Sequence, residues 1–542
     1  MRKRRLLVVF AIASSLAAQT ASRDMCAAPP GSVPPSLPAK LLSGQGHIDF
    51  PITTKSAEAQ KFFNQGVAQM HSFWAMEAER SFLQAAALDP EAPMPQWGIA
   101  MVAAGDFRPR FQLVRDAPAP TRKANAAAVP RGSQKRAIDA AKKALELSQA
   151  PGKVTGLEKL YIASIVARRT SPAPDDDYIQ GLRAIAAAYP NEVEAKTYLA
   201  LHLMSGFTKP DMQPRPGTME AVEILRGLLQ QAPDHMGVHH YVIHGWEGST
   251  FAKEAWDSCR RYPELVSNIP HALHMPGHIW AQTGKWQEGI ASFEAAAANE
   301  RGYLQADQLY GTGHHGHNVH FLVSSYAFLG QYGKAMENAR ELLAMKENPR
   351  EASQVDNFRT AYRQGWFAMM LTLVHAENWD EILDGTTLPR YDKPRERAWR
   401  HWAEGLAHAA KGDVKSAQAD AKQMARAMKQ LRKAADQLPP PLAVAQAELD
   451  GQIAFASGKV DRSLRILEAA VKQERAMRYN EPPSYPRPVA QVLGQFALKA
   501  GKPQLAEGAF RQALEQYPEF GRARAGLAEV ARQGNTHAVA GL

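Results

Sequence analysis

The sequence predicts an all-α protein built as one α-solenoid of stacked antiparallel helical hairpins. Three observations lead there: a spacing pattern of small and aromatic residues recurs at separated places, the segments between its copies carry helical periodicity, and no β-rich region occurs. Recurrence at a fixed period is the mark of a repeat architecture, in which each hairpin buries its apolar face only against its neighbours. The clearest copy is Gly66, Ala78, Phe82, Ala85 and Pro90, with spacings of 12, 4, 3 and 5 residues. The same spacings return at Gly494, Ala506, Phe510, Ala513 and Pro518. Small residues let two antiparallel helices approach, and the Pro ends the hairpin.

Along the chain, the N-terminus comes first. Arg2, Lys3, Arg4 and Arg5 precede an apolar run from Leu6 to Ala18 and then small residues, the order of a secretory signal peptide. The run is too short to span a bilayer, and no later segment reaches the roughly twenty residues required. Cleavage between Ala17 and Ser22 is expected, giving a periplasmic or secreted protein. Asp24 and Met25 before Cys26 do not suit a lipoprotein signal. Residues 1–22 are therefore read as signal peptide and 23–55 as a Pro-rich leader. Repeats are expected over 56–234, a histidine-rich set over 235–345, and C-terminal repeats over 346–533.

Looser copies of the pattern stand at Gly289/Phe293/Ala296, Gly405/Ala417/Ala421 and Gly451/Ser463/Leu467/Ala470. Helical patterns run over Gln134–Leu147, Gly156–Ala167 and Tyr178–Tyr189, the last ended by Pro190. Asp106–Gly132 has no helical period, Lys209–Gly217 holds three prolines and a glycine, and Leu438–Pro441 is another break; all three read as loops or interruptions. The two clear copies make the chain resemble tetratricopeptide repeat (TPR) proteins over nearly all of its mature length. That resemblance implies a concave groove lined by the first helix of each hairpin, able to take a peptide or a small-molecule substrate.

Charge and cysteine usage narrow the chemistry. Removing the four leading basic residues lowers the formal net charge from +10 by four, to +6, and the basic face at Lys422, Arg426, Lys429 and Arg432 reads as a solvated helix surface. Nothing argues for nucleic acid. With only Cys26 and Cys259 present, a cysteine-rich metal site is excluded, and any metal must sit on nitrogen and oxygen ligands.

Histidine supplies such ligands. The 86 residues from His235 to His320 hold eleven of the eighteen histidines, in three bursts: His235, His239, His240 and His244; His271, His274 and His278; His314, His315, His317 and His320. A single histidine in a helix is usually a packed or hydrogen-bonded residue, whereas recurring clusters on a repeat scaffold point to a multi-ligand metal site, since imidazole is the commonest metal ligand. The interhelix turns serve as rulers. His271, His274 and His278 precede Gly284 by 13, 10 and 6 residues; His317 and His320 precede Gly330 by 13 and 10. Setting the first reference at Thr250 puts His240 and His244 at 10 and 6. Such positions share one helix face. Pro270 and Pro276 bracket His271 and His274, so that helix either starts near Pro276 or kinks there.

The segments Asp-His235-Met-Gly-Val-His-His240-Tyr-Val-Ile-His244, Pro-His271-Ala-Leu-His274-Met-Pro-Gly-His278-Ile and His317-Asn-Val-His320-Phe-Leu resemble a family of exported bacterial TPR proteins. The likeness extends to Tyr189-Pro190 and to Asn480-Glu-Pro-Pro. It implies histidines shared at His235, His240, His244, His271, His274, His278, His317 and His320. His239 departs from it, and His314 and His315 look like additions. No reaction comes with the resemblance.

His240, His244 and Glu247 follow helical spacing and could form a two-His, one-carboxylate set, the arrangement of non-heme iron oxygenases or of an open zinc site; a pair of His-rich metals is the other arrangement. Copper, iron or zinc suits such ligands. Trp246, Trp280, Tyr241, Tyr310 and Phe321 are candidate pocket walls, although aromatic residues at helical spacing are more often packing residues. Two functions stay open: a metal-dependent enzyme, redox or oxygenase-type ahead of hydrolytic, and a non-catalytic scaffold binding a protein or peptide around a structural metal.

Overall fold

The computed structural model describes residues 38–109, 111, 132–150, 154–306, 313–345, 360–435, 438–477 and 480–540. The expected signal peptide, Cys26, Tyr310 and most of the Asp106–Gly132 loop lie outside them.

Among the described residues the chain is helical throughout, with no strand and one isolated bridge between Phe207 and Pro214. The helices run in order as α1 (Ala57–His71), α2 (Ala75–Leu88), α3 (Pro93–Val102), α4 (Gly132–Ser148), α5 (Gly156–Thr170), α6 (Pro174–Ala188), α7 (Val193–Leu203) and α8 (Thr218–Gln231). The histidine region supplies α9 (Met236–Trp246), α10 (Trp256–Leu265), α11 (Pro270–Gln282), α12 (Trp286–Ala306), α13 (Gly313–Phe328) and α14 (Tyr332–Ala344). The rest comprises α15 (Ala361–Ala376), α16 (Trp379–Leu383), α17 (Pro394–Ala410), α18 (Val414–Ala435), α19 (Pro440–Ala456), α20 (Val460–Arg475), α21 (Val489–Lys499), α22 (Pro503–Gln516) and α23 (Gly521–Ala540). None is long and apolar enough to cross a membrane.

The glycine-to-aromatic spacing has a direct cause. A Cβ on Gly66 would lie 2.6 Å from the Phe82 ring, and one on Gly494 would lie 2.5 Å from that of Phe510. Each glycine is the notch into which the ring of the second helix seats. The same notch recurs at Gly451 against Leu467, where a Cβ would lie 2.9 Å away, and at Gly277 against Phe293. In the histidine region Gly277 therefore takes this role, not Gly289, and it sits between His274 and His278. The hairpin turns close on left-handed residues, among them Gly284, Gly330, Gly412, Gly458 and Gly501, a conformation glycine adopts at little cost.

Two features set this solenoid apart from an open stack. Residues 38–55 pack inward: Asn268 N–H donates to the Gly44 carbonyl (2.8 Å), and Phe50 packs edge-on against Phe63 and Trp97. The C-terminal hairpins fold back on the histidine region. Trp286 Nε1 donates to the Pro518 carbonyl (2.8 Å), His375 Nε2 lies 2.6 Å from the Pro486 carbonyl, and Phe328 packs against Tyr517 and Phe520. The histidine region is thus in contact with both the 38–55 segment and the C-terminal repeats.

Candidate metal centre

Helices α9, α11 and α13 pack side by side, with α1 against α9. Helix α9 starts where the His235 side chain caps it, its Nδ1 accepting from Val238 N–H (3.2 Å). Helix α11 runs unbroken from Pro270 to Gln282. Pro270 occupies the first turn, where a missing N–H costs nothing, and Pro276 is carried inside the helix. His271 and His274 therefore lie on the helix itself.

Six imidazoles come together in two buried trios: His240, His244 and His271, and His274, His278 and His317. All six are at most 3% exposed. Within each trio one nitrogen per ring lies within 4.8 Å of the others. The trios follow one rule. Each takes the residues 10 and 6 before the turn reference of one first helix and the residue 13 before the reference of the next. His240 and His244 join His271; His274 and His278 join His317.

The hydrogen bonds fix which nitrogens face inward. His240 Nδ1 meets the His71 carbonyl (2.5 Å), a pure acceptor, so Nδ1 carries the proton and Nε2 is bare. His244 and His278 each donate from Nδ1 to Glu247, at 2.8 Å, one to each carboxylate oxygen. His274 Nδ1 donates to Asn318 Oδ1 (2.7 Å), whose amide donates to the Phe293 carbonyl. His271 Nδ1 donates to His314 Nε2 (3.4 Å), and His314 in turn bonds Glu300 through Nδ1. Bare nitrogens therefore converge: His240 and His271 Nε2 are 3.1 Å apart and His274 and His278 Nε2 2.7 Å, and His317 Nε2 lies 3.2 Å from that of His274. His244 Nε2 is buried with no hydrogen-bond partner.

Burial, and then the neighbouring imidazoles, push His240, His271 and His274 well below the ordinary histidine range. These three rings are thus neutral at physiological pH, and lone pairs facing each other without a cation repel. Nitrogens bound at about 2.0–2.1 Å to one tetrahedral ion lie roughly 3.3 Å apart, close to the spacings seen. The buried clusters could hold metal ions. Each imidazole whose Nδ1 partner is named has the carboxylate, carbonyl, amide or imidazole support that orients metal-bound histidine.

Glu247 is not positioned as a ligand. Both its oxygens are engaged by Nδ1 groups of His244 and His278, so it bridges the two trios from behind. Burial raises its carboxyl pKa, but the hydrogen bonds from both histidines outweigh this and hold it at about 2. The two-His, one-carboxylate set expected at His240, His244 and Glu247 is not formed. His235 stands apart with His71 and Glu194, its Nε2 3.0 Å from one Glu194 oxygen while His71 Nε2 is 2.7 Å from the other. His320 also departs: its Nδ1 bonds Gln364 Oε1 (2.6 Å) and its ring packs on Phe367. Burial holds its pKa down at about 4.

Several site residues escaped sequence reasoning. His71 is isolated in sequence, yet its carbonyl orients His240 and its ring bonds Glu194 and Tyr241. Phe73, in the left-handed region at φ 53°, lays its ring against His240, His244 and His271 with centroids 4.5, 5.3 and 5.5 Å away. A non-glycine residue there is strained and held by its surroundings. Gly237, 13 before Thr250, leaves room for the His71 ring. Of the aromatic walls, Phe321 packs on His278 (5.3 Å) and Tyr241 bonds His71, while Trp246 packs on Phe251 and Trp280 on Trp256. A fourth cluster, His401, Glu404 and Asp420, is half-buried and bonded within itself.

No protein-family model matches the chain, and no curated protein does. Similar solved structures include the APC/C hetero-tetramer Cut9–Hcn1, at 12% identity over 87% of this chain and 76% of that one, with a TM-score of 0.31. The human IFIT1 dimer with m7Gppp-AAAA matches at 10% identity over 89% and 91%, with a TM-score of 0.34. Yeast Tom70 matches at 10% identity over 89% and 90%, with a TM-score of 0.25. The stacked hairpins, their Gly-to-Phe notches and their left-handed turns make this chain an all-α, TPR-like solenoid.

Proposed function

We propose that the protein is an exported TPR-solenoid metalloprotein whose two imidazole trios hold a pair of transition-metal ions for redox, oxygenase-type chemistry on a small molecule. The observation that carries this is the convergence of bare imidazole nitrogens in two neighbouring trios, His271 and His274 lying 6.2 Å apart between ring centroids. All-imidazole ligation favours copper, with zinc and iron as the other candidates. Bound there, copper or iron would supply one-electron chemistry, and three protein ligands per ion would leave a position for substrate or solvent. The chain's own part is to hold the rings. Glu247, Asn318, His314 and the His71 carbonyl keep Nδ1 protonated and Nε2 aimed inward, while Phe73, Phe293 and Phe321 keep water out.

The burial of all six rings favours a second reading, a scaffold for a protein or peptide partner stabilised by structural metal. Elemental analysis of the purified mature protein tests the shared premise: close to two equivalents of copper, zinc or iron per chain are expected. No metal and no uptake on reconstitution would end both readings. Chelation then separates them. An enzyme loses turnover with its helices intact, whereas a structural metal takes the order of α9, α11 and α13 with it.

A further inference from the structure

A cavity of about 160 Å³ lies one helical turn beyond the second trio. Its wall is drawn from three distant stretches: the loop at Lys209 to Met212, the histidine helices at Ala281, Gln282, Trp286 and Phe321, and the C-terminal repeats from Glu474 to Tyr517. No single hairpin makes it; it exists because the solenoid folds back on itself.

Two helices lead from the imidazoles to this chamber. Gln282 follows His278 by four residues on α11, and Phe321 follows His317 by four on α13, so each pair shares a face. The Phe321 ring stands between them and the cavity, 5.3 Å from His278 and 6.3 Å from His274 between centroids. The walls are mainly apolar and aromatic, with Trp286, Tyr517, Phe321 and the flexible Met212 and Met477. The charged groups at its rim are mixed, Lys209 and Arg475 against Glu481 and Glu515. Glu474 adds a carboxyl whose pKa burial lifts to about 8 and whose oxygens accept from Val489 N–H (2.8 Å) and Gln516 Nε2 (3.3 Å). Nothing in this balance selects an ion.

We propose that the chamber binds a small neutral molecule built on a single aromatic ring, placed beside the second imidazole trio. An apolar cavity of about 150 Å³ is large enough for benzene, and aromatic walls favour offset or edge-on contact with a bound ring. Only the position beside a metal rests on the reading of the centre given above; the chamber itself does not.

The test uses phenol as the probe and the full mature chain. In metal-free protein, saturation-transfer NMR should show saturable phenol binding, weakened at least tenfold by Met477→Trp, which fills the chamber from a partly buried position. Should Met477→Trp lose helicity by circular dichroism, the smaller Met477→Phe carries the same expectation. No saturable binding to folded protein, or equal binding in the filled variant, overturns the proposal. With copper(II) loaded, phenol protons should relax faster than with zinc(II). Equal relaxation in both loaded forms overturns the placement beside the trio. Phenol binding in a protein that takes up no metal supports the chamber and sinks the metal reading alone.

Discussion

Glu247 holds one imidazole of each trio with a single carboxylate, and this makes it the most exposed point of the design to a change of one atom. Glu247→Gln keeps the shape but replaces one acceptor oxygen by an amide donor, so only one of His244 and His278 keeps its Nδ1–H partner. Loss of such support costs about 10–100-fold in metal affinity. We expect a drop of that size in a competitive chelator titration, with helicity unchanged; an unaltered affinity would refute the bridging role. At this scale the sequence was partly legible. The six clustered imidazoles lie in bursts that composition alone exposes. His71, Phe73 and Asn318 do not, because their roles come from packing between α1, α9, α11 and α13, and His71 is 169 residues from the ring its carbonyl orients. Glu247 was readable as a participant, but spacing on one helix cannot say that its second oxygen is taken by a neighbouring helix.

The helix pair is the unit that builds each trio, and its rule predicts where the series stops. On α13, His320 stands 10 before Gly330 as His240 and His274 stand in their helices, but position 6 is Ser324. The next residue 13 before a left-handed turn is Gln364, counted from Glu377 at φ 54°. A third copy of the geometry is thus present with two of its three imidazoles replaced, and His320 bonds Gln364 where a metal would otherwise be shared. His317→Gln imposes that replacement on the second trio. Metal content should fall from two equivalents toward one, with the first trio still loaded; retention of two would contradict the rule. The turn rulers made this register legible in the sequence for α11 and α13. What they could not give was the partner helix, since the residue at position 13 serves the trio of the preceding repeat.

A second pair, α17 and α18, carries a pH dependence. Hydrogen bonds that His401 donates to Asp420 and then to Glu404 outweigh burial and raise it from near 6.5 to about 9. A group whose folded pKa is raised contributes stability that is whole below its unfolded value and is lost as pH climbs through the folded one. Thermal melts should therefore decline between about pH 6.5 and 9, and His401→Gln should lessen that decline, the rest coming from His315, which, against burial, Glu300 and Glu341 raise to about 9. A melting temperature independent of pH in this window for the native chain would remove the contribution.

On the scale of the whole molecule, the repeat pattern foretold a stack but not its closure. The contacts that close it, Trp286 to Pro518 and Asn268 to Gly44, join residues with no periodic relation, and nothing in a local spacing announces them. Closure decides what happens when the centre is emptied. Repeat arrays are stabilised by packing between nearest neighbours summed along their length, so His240→Ala with His278→Ala should abolish metal binding at both trios without unfolding the protein. Removing two buried rings leaves cavities between α9 and its neighbours and in α11, and large-to-small changes of this kind cost about 2–5 kcal/mol each. The loss should be felt first where the rings pack. Amide exchange should quicken across 236–328 and in α1, which is tied to α9 through the His71 carbonyl. Helices α17 to α20 lie outside the histidine repeats and should keep their protection. If exchange quickens uniformly along the chain, the solenoid unfolds as one unit and the centre is its keystone; if it changes nowhere and metal is retained, the six imidazoles are not the ligands.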